Sequence, residues 1–195
     1  MAPVVRAESV WRIHHSRATV DALAGVESEV PAGELLAVVG PSGPGKTTLL
    51  NCLSGLEHLD EGRVSVEGTD LSGRSDDART DWRARRMGFI FQAFNLLPVL
   101  SAVENVEVPL LLTGERRSKV RRREREMLSP VGLAHRADYR ANRLSGGDQQ
   151  RVTVARALVH EPAVVWADEP TGNLDSRTPS TVMSAWWGGT AEIGR

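Results

Sequence analysis

Gly40-Pro41-Ser42-Gly43-Pro44-Gly45-Lys46-Thr47 fits the pattern G-x-x-x-x-G-K-[ST], a glycine loop whose backbone N–H groups cradle nucleotide phosphates. Leu35-Leu36-Ala37-Val38-Val39 runs directly into it and predicts a short apolar strand of the buried, parallel-sheet kind. Thr48-Leu49-Leu50-Asn51-Cys52-Leu53 follows, with spacing that suits a helix. Strand, glycine loop and helix together are the context the motif requires. Gly40, Gly43 and Gly45 let the backbone turn sharply, so that its N–H groups add to the helix N-terminus as an anion site. Lys46 is expected to reach the β- and γ-phosphates and the Thr47 hydroxyl to ligate Mg²⁺. The chain is therefore expected to bind a nucleoside triphosphate.

Length and composition bound the rest. A chain of 195 residues, 41 % hydrophobic and 25 % charged, has room for a real core and the make-up of a soluble globular protein. A formal net charge of -1 gives no electrostatic footprint for nucleic acid. The single cysteine, Cys52, precludes an internal disulfide and is expected to be a small core residue on the helix after the loop. Met1 to Arg6 lacks the pattern of a signal peptide, and no apolar run is long enough to span a membrane. A cytoplasmic protein is expected, with any membrane link made through a partner.

Along the chain, Val4 to Ile13 and Val20 to Val30 predict two strands, and Pro31-Ala32-Gly33 a turn into the loop strand. Arg63-Val64-Ser65-Val66 alternates as a strand should and closes on Glu67-Gly68-Thr69-Asp70. Ser72 to Asp81 is a polar loop or a short exposed helix. Met87-Gly88-Phe89-Ile90-Phe91 predicts a buried strand ending at Gln92. Ser101 and Glu104 form a capping box for a helix that Pro109 should kink or end. Residues 115–128 interleave arginines with Glu115, Glu124 and Glu126, which predicts a solvated helix or, alternatively, a surface for an anionic partner. Ala155 to Val159 belongs to a further helix, stopped by Pro162. Ala163-Val164-Val165-Trp166-Ala167 is then an apolar strand ending at Asp168. Strands alternating with helices behind a phosphate loop imply an α/β sheet covered on both faces.

Three further stretches narrow the choice among P-loop proteins. Leu144-Ser145-Gly146-Gly147-Asp148-Gln149-Gln150-Arg151 resembles the signature of ABC-type ATPases. Ala167-Asp168-Glu169-Pro170-Thr171-Gly172-Asn173-Leu174-Asp175 is similar to their Walker B strand end and D-loop, and Phe89-Ile90-Phe91-Gln92 to their strand and Q-loop. The resemblance covers about residues 4–178. It implies a P-loop NTPase of the ABC type with a RecA-like core, an N-terminal antiparallel β region and a helical subdomain at about residues 95–158. Residues 179–195 form an atypical tail.

What the resemblance implies for the site extends the reading of the loop. ATP and Mg²⁺ are the expected ligands. Gly40, Pro41, Ser42, Gly43, Pro44, Gly45, Lys46, Thr47 and Thr48 would hold the phosphates, and Thr47, Gln92 and Asp168 the metal. Glu169, one residue past an apolar strand, can orient and deprotonate the attacking water, with Gln92 beside it. Ser145, Gly146 and Gly147 open a helix whose N-terminus makes a second phosphate site. In the family that site and Asp175 meet a nucleotide held by a second chain, which implies a head-to-tail homodimer in the ATP-bound state. The implied partner is an integral membrane permease at the inner face of the membrane, with no nucleic acid involved. Phe91-Gln92-Ala93-Phe94-Asn95-Leu96-Leu97-Pro98 and Glu104-Asn105-Val106 look like the group serving macrolide export, lipoprotein release and cell division. ABC ATPases of nucleic-acid repair or translation carry long insertions or a second cassette that these 195 residues do not.

Three features depart from the family pattern. His14 aligns with the aromatic residue that stacks on adenine; an imidazole can stack over less area, or His14 and His15 are simply a polar strand end. Asp148 stands where Gln or Glu is usual, which is expected to be tolerated. After Asp175 the family continues through a helix and an apolar strand to a histidine, whereas the last histidine here is His160. Thr178-Pro179 can open that helix, but Trp186-Trp187-Gly188-Gly189 does not continue it. A truncation or frame change near residue 179, with the C-terminal strands missing, is the expectation. Losing a strand spacing of ~4.8 Å between the loop strand and the Walker B strand would disturb catalytic geometry. A module that binds ATP without turning it over is therefore the alternative to an active ATPase.

Overall fold

The computed structural model describes residues 2–15, 19–41, 43, 45–114 and 126–169. They fall into two compact units, Met1–Arg83 and Ala84–Arg195.

The first unit is built on an antiparallel sheet. β1 (Val5–His15) pairs with β2 (Thr19–Val30) on one side and with β3 (Glu61–Val66) on the other, and β4 (Thr69–Asp70) closes a hairpin on β3. Val5 and Ala7 are buried, and so is Val10, although strict alternation would turn residue 10 outward. The ladder explains it. Ala7 faces Ser28 and Val10 faces Val26, while Glu8 faces Arg63 and Trp11 faces Glu61, so β1 carries one extra residue against both neighbours. That is a β-bulge, and Ser9 sits in it with φ of 48°. Gly62 is what lets β3 pass the bulge: a Cβ there would lie 2.2 Å from the Ser9 carbonyl oxygen. The β3–β4 hairpin turns through Glu67 and Gly68, with φ of 49° and 72°, the two positive values that match strand twist in a two-residue turn.

Helix α1 (Gly45–Leu53) buries Thr48, Cys52 and Leu53. Burial pushes the Cys52 thiol up to about 11, so it stays protonated and serves as core, as the sequence predicts. The polar stretch after Ser72 resolves into a helix, α2 (Asp76–Arg86), with Asp76 and Asp77 in its first turn, where acids complement the helix dipole. Arg79 lies buried against Gly55, ion-paired to Asp76 and facing the His58 ring at 3.1 Å. Arg83 donates to the Gly55 carbonyl.

In the second unit β5 (Met87–Ile90) and β6 (Val164–Ala167) form a parallel pair, Met87 opposite Val164 through Ile90 opposite Ala167. Helix α3 (Ala102–Leu112) packs on α4 (Gly146–Leu158) through Val103, Val106, Leu110, Val152 and Ala155, with Leu128 and Leu133 completing the core. The capping box is formed as expected: Glu104 N donates to Ser101 Oγ at 3.3 Å, and Ser101 N to Glu104 Oε2 at 2.7 Å.

One expectation fails, and of the two outcomes expected at Pro109, a kink or an end, the end does not occur. Residues 35–39 are not a buried strand. They carry no strand assignment, pair with none of the described strands, and Leu35 and Val39 are 57 % and 87 % exposed. An apolar run becomes a strand only where a neighbour takes up its backbone groups, and no described strand does. Pro109 neither ends nor breaks α3, which continues to Leu112. The ring removes one helical hydrogen bond, but Val106 and Leu110, on either side of it, are fully buried in the core, and that burial keeps the segment helical. The charge run at 115–125 lies outside the described residues; 126–128 is helical.

The tightest joint in the second unit is Gly88. A Cβ at this position would lie 2.2 Å from the Ala157 carbonyl oxygen on α4. Since that oxygen is backbone, Gly88→Ala must push β5 from α4. A loss of about 1–3 kcal/mol is expected, read in a thermal melt as roughly 2–4 °C per kcal/mol.

Candidate active site

In the first unit the glycine loop ends on the N-terminus of α1. Gly45 opens the helix, with Lys46, Thr47 and Thr48 in its first turn and no acidic residue there, so nothing cancels the positive end of the helix dipole. Lys46 Nζ folds back to donate to the carbonyls of Gly40 at 3.1 Å and Pro41 at 2.6 Å. The ammonium is thus held over the loop by the loop's own backbone. Gly40, Pro41 and Gly43 are exposed. Ser42 and Pro44 lie outside the described residues.

His14, near the end of β1, belongs to a charged cluster in the same unit. Its Nε2 lies 3.0 Å from Glu57 Oε1, which also accepts from Arg12 Nε at 2.7 Å. Arg12 Nη1 reaches Asp60 at 3.2 Å. Burial pushes the Glu57 carboxyl up, but its bonds from Arg12 and His14 outweigh this and leave it below the usual range.

In the second unit the parallel ladder runs one step past the strands, Asp168 N donating to Ile90 O at 2.9 Å. Gln92 and Glu169 therefore emerge at the same carboxyl end, the usual location of sites on parallel sheets. Glu169 takes a left-handed backbone, φ 47°, and its Oε2 accepts from Gln92 Nε2 at 2.7 Å. Gln92, Asp168 and Glu169 are the predicted residues that the fold brings together here. Phe94 and Asn95 follow with φ of 58° and 50°, and Arg156 of α4 donates to both carbonyls, Nη2 to Phe94 at 2.9 Å and Nη1 to Asn95 at 2.6 Å. Burial pulls the Arg156 guanidinium below the usual arginine range. Asn105, fully buried on α3, clamps the next turn: it accepts from Leu97 N at 2.8 Å and donates to Leu97 O at 3.1 Å.

Ser145 caps α4, its Oγ accepting from Asp148 N at 3.2 Å, and Gly146 and Gly147 form the first helical positions. Asp148 is buried and ion-paired to both Arg136 and Arg151. It fastens the segment before the helix to the helix itself. Asp175 lies outside the described residues. Among the described residues no three metal-ligating side chains cluster. Magnesium takes hard oxygen donors and keeps most of its waters; the Thr47 hydroxyl in the first unit and the Asp168 carboxylate in the second are each donors of that type.

A family model described as "ABC transporter" matches residues 23–172. The chain belongs to the ABC transporter family. The motifs that suggested an ABC-type ATPase thus belong to one. The chain is 45 % identical over 184 residues to an uncharacterized ABC transporter ATP-binding protein of Thermotoga maritima, covering 94 % of this chain and 79 % of that one. It is 44 % identical over 183 residues to the lipoprotein-releasing system ATP-binding protein LolD of Alcanivorax borkumensis, covering 93 % and 80 %. Among solved structures it resembles the dimeric cassette MJ0796, at a TM-score of 0.87 and 37 % identity over 93 % of this chain and 81 % of that one. A second structure of MJ0796, in a post-hydrolysis state bound to ADP and Pi, matches equally well. The fold is the α/β P-loop fold of ABC ATPases.

Sequence reasoning missed Arg156 and Glu57. Arg156 had a signal: a lone cation between Ala155 and Ala157 on an apolar helix face must find buried acceptors. Glu57 had none, since its partners lie 43 and 45 residues away.

Asp148 gives a prediction for this cassette. Burial pushes its carboxyl up, but the Ser145 hydroxyl, Arg151 and Arg136 outweigh burial and leave it below its ordinary 3.8. A depressed carboxyl contributes stability above its unfolded value and loses it as pH falls through the folded one. Asp148→Asn should cost about 1–3 kcal/mol at neutral pH. In paired denaturant titrations, that difference should shrink as pH drops below about 4.

Proposed function

We propose that this chain is the ATP-binding and ATP-hydrolysing subunit of an ABC membrane transporter, coupling ATP + H₂O → ADP + phosphate to movement of a substrate by a permease. One observation carries the reading: Gln92, Asp168 and Glu169 converge at the carboxyl end of β5 and β6, with Gln92 donating to Glu169 at 2.7 Å. In this reading the phosphates lie on the loop N–H groups and on Lys46. Thr47, Asp168 and Gln92 would hold Mg²⁺, which would neutralise phosphate charge when bound. Glu169 orients water and takes its proton. Gln92, bonded to Glu169 at one end of a loop, reports the state of the site to a permease docked beside residues 95–158. Ser145, Gly146, Gly147 and Asp175 serve a second copy's nucleotide in a head-to-tail dimer. His14 stacks on the base. LolD-type similarity supports a permease of the lipoprotein-release kind and a location at the inner face of the cytoplasmic membrane. No helix among the described residues is long and apolar enough to cross a membrane.

A second reading, nucleotide binding without turnover, is favoured by the state of residues 35–39. They are exposed and pair with no described strand, so among the described residues the loop they feed has no ladder to fix Lys46 in register.

Calorimetric titration with MgATP tests the phosphate site. Lys46→Ala removes a charge-assisted contact of ~1.5–3 kcal/mol and should weaken binding at least about tenfold; equal affinity would overturn the assignment. Glu169→Gln should leave binding intact and abolish phosphate release. Wild-type chain that binds but releases no phosphate, with its permease or without, would favour the second reading. In transport assays with the permease, Gln92→Ala should reduce substrate movement more than it reduces ATP affinity.

A further inference from the structure

The charged cluster around β1 joins His14 to the helix that carries Lys46. Leu56 N and Glu57 N both donate to the Asn51 carbonyl in the last turn of α1, at 2.8 and 3.1 Å. Glu57 is thereby fixed to the helix end, and its carboxylate meets His14 Nε2 and Arg12 Nε. Asp60 makes a second tie: its Oδ2 accepts from Ile13 N at 2.7 Å and its N–H donates to Trp11 O at 3.0 Å. Backbone and side chains of residues 11–14 are thus lashed at several points to one short segment. The opposite end of α1 presents Lys46. A nine-residue helix is a rigid rod about 13 Å long, so both groups are referenced to one body.

We propose that Glu57 is a positioning residue for nucleotide binding, holding the His14 imidazole by its Nε2 edge as a pre-set platform for the base and fixing that platform to α1. The inference rests on the reading of His14 as the base-stacking residue. The His14 side chain is 37 % exposed; a bond at Nε2 is made at the ring edge, whereas stacking uses the faces. Preordering matters more for an imidazole than for a larger ring. The smaller stacking area gains less, and ordering a free side chain on binding consumes a larger share of it. Glu57 does that ordering before the nucleotide arrives. Arg12, bonded to both Glu57 and Asp60, keeps the carboxylate ionised and aimed.

The test compares two ligands on the full chain, MgATP and magnesium tripolyphosphate, which engages the phosphate loop and has no base. Glu57→Ala should weaken MgATP by about three- to tenfold and leave tripolyphosphate affinity unchanged. His14→Ala should give the same selective loss, with no further loss in the double variant. In a His14→Tyr background, where the ring offers no Nε2, Glu57→Ala should have no effect on MgATP. Parallel weakening of both ligands by Glu57→Ala would overturn the proposal, because it would mark a merely structural residue. Unchanged MgATP affinity in Glu57→Ala, with a loss in His14→Ala, would overturn the positioning role and leave the base platform standing. Unchanged affinity in His14→Ala would overturn the platform reading and this inference with it.

Discussion

The parallel pairing of β5 with β6 is the constraint on which the meeting of Gln92 with Glu169 depends. Four residue pairs, continued by the bond from Asp168 N to Ile90 O, fix the two strand ends in register. A slip of one residue would turn every side chain to the opposite face and separate Gln92 from Glu169. The register is itself held by packing: β5 lies so close to α4 that only glycine fits at residue 88. The same helix begins at the capped Ser145 and carries Arg156 against the loop after Gln92. One helix therefore supports the signature end, the Q-loop and the strand pair.

The two arginine-centred arrangements divide the work differently. Arg156 spends its donors on carbonyls of Phe94 and Asn95, two residues in a backbone conformation that costs free energy outside glycine. Its bonds offset that cost. Arg136 and Arg151 instead neutralise a buried carboxylate, Asp148, which would be expensive to leave unpaired. The first fixes the shape of a loop; the second fixes where a helix begins.

Much of this was legible in the sequence because the signals are local. The glycine loop and its helix, the Ser101–Glu104 cap, and the strands ending at Gln92 and Asp168 each depend on a few neighbouring residues. What failed depended on distant ones. Residues 35–39 are apolar enough for a strand, but pairing is a property of the neighbour, and no described strand supplies it. Pro109 carries a strong local prohibition that the core against α4 overrides. The role of Glu57 arises where α1 ends near β1, which no periodicity encodes. The sequence motifs named the chemistry; the long-range bonds show what steadies it.

The extra residue at Ser9 has a consequence for how this chain may vary. Between Ala7 and Trp11 the bulge gives β1 one residue more than either flanking strand, and that is why Val10 faces the core. Substitutions along β1 change one side chain at a time. A single-residue deletion at the bulge would restore plain alternation there and send Val10 toward solvent. For β1, length is under tighter physical control than composition.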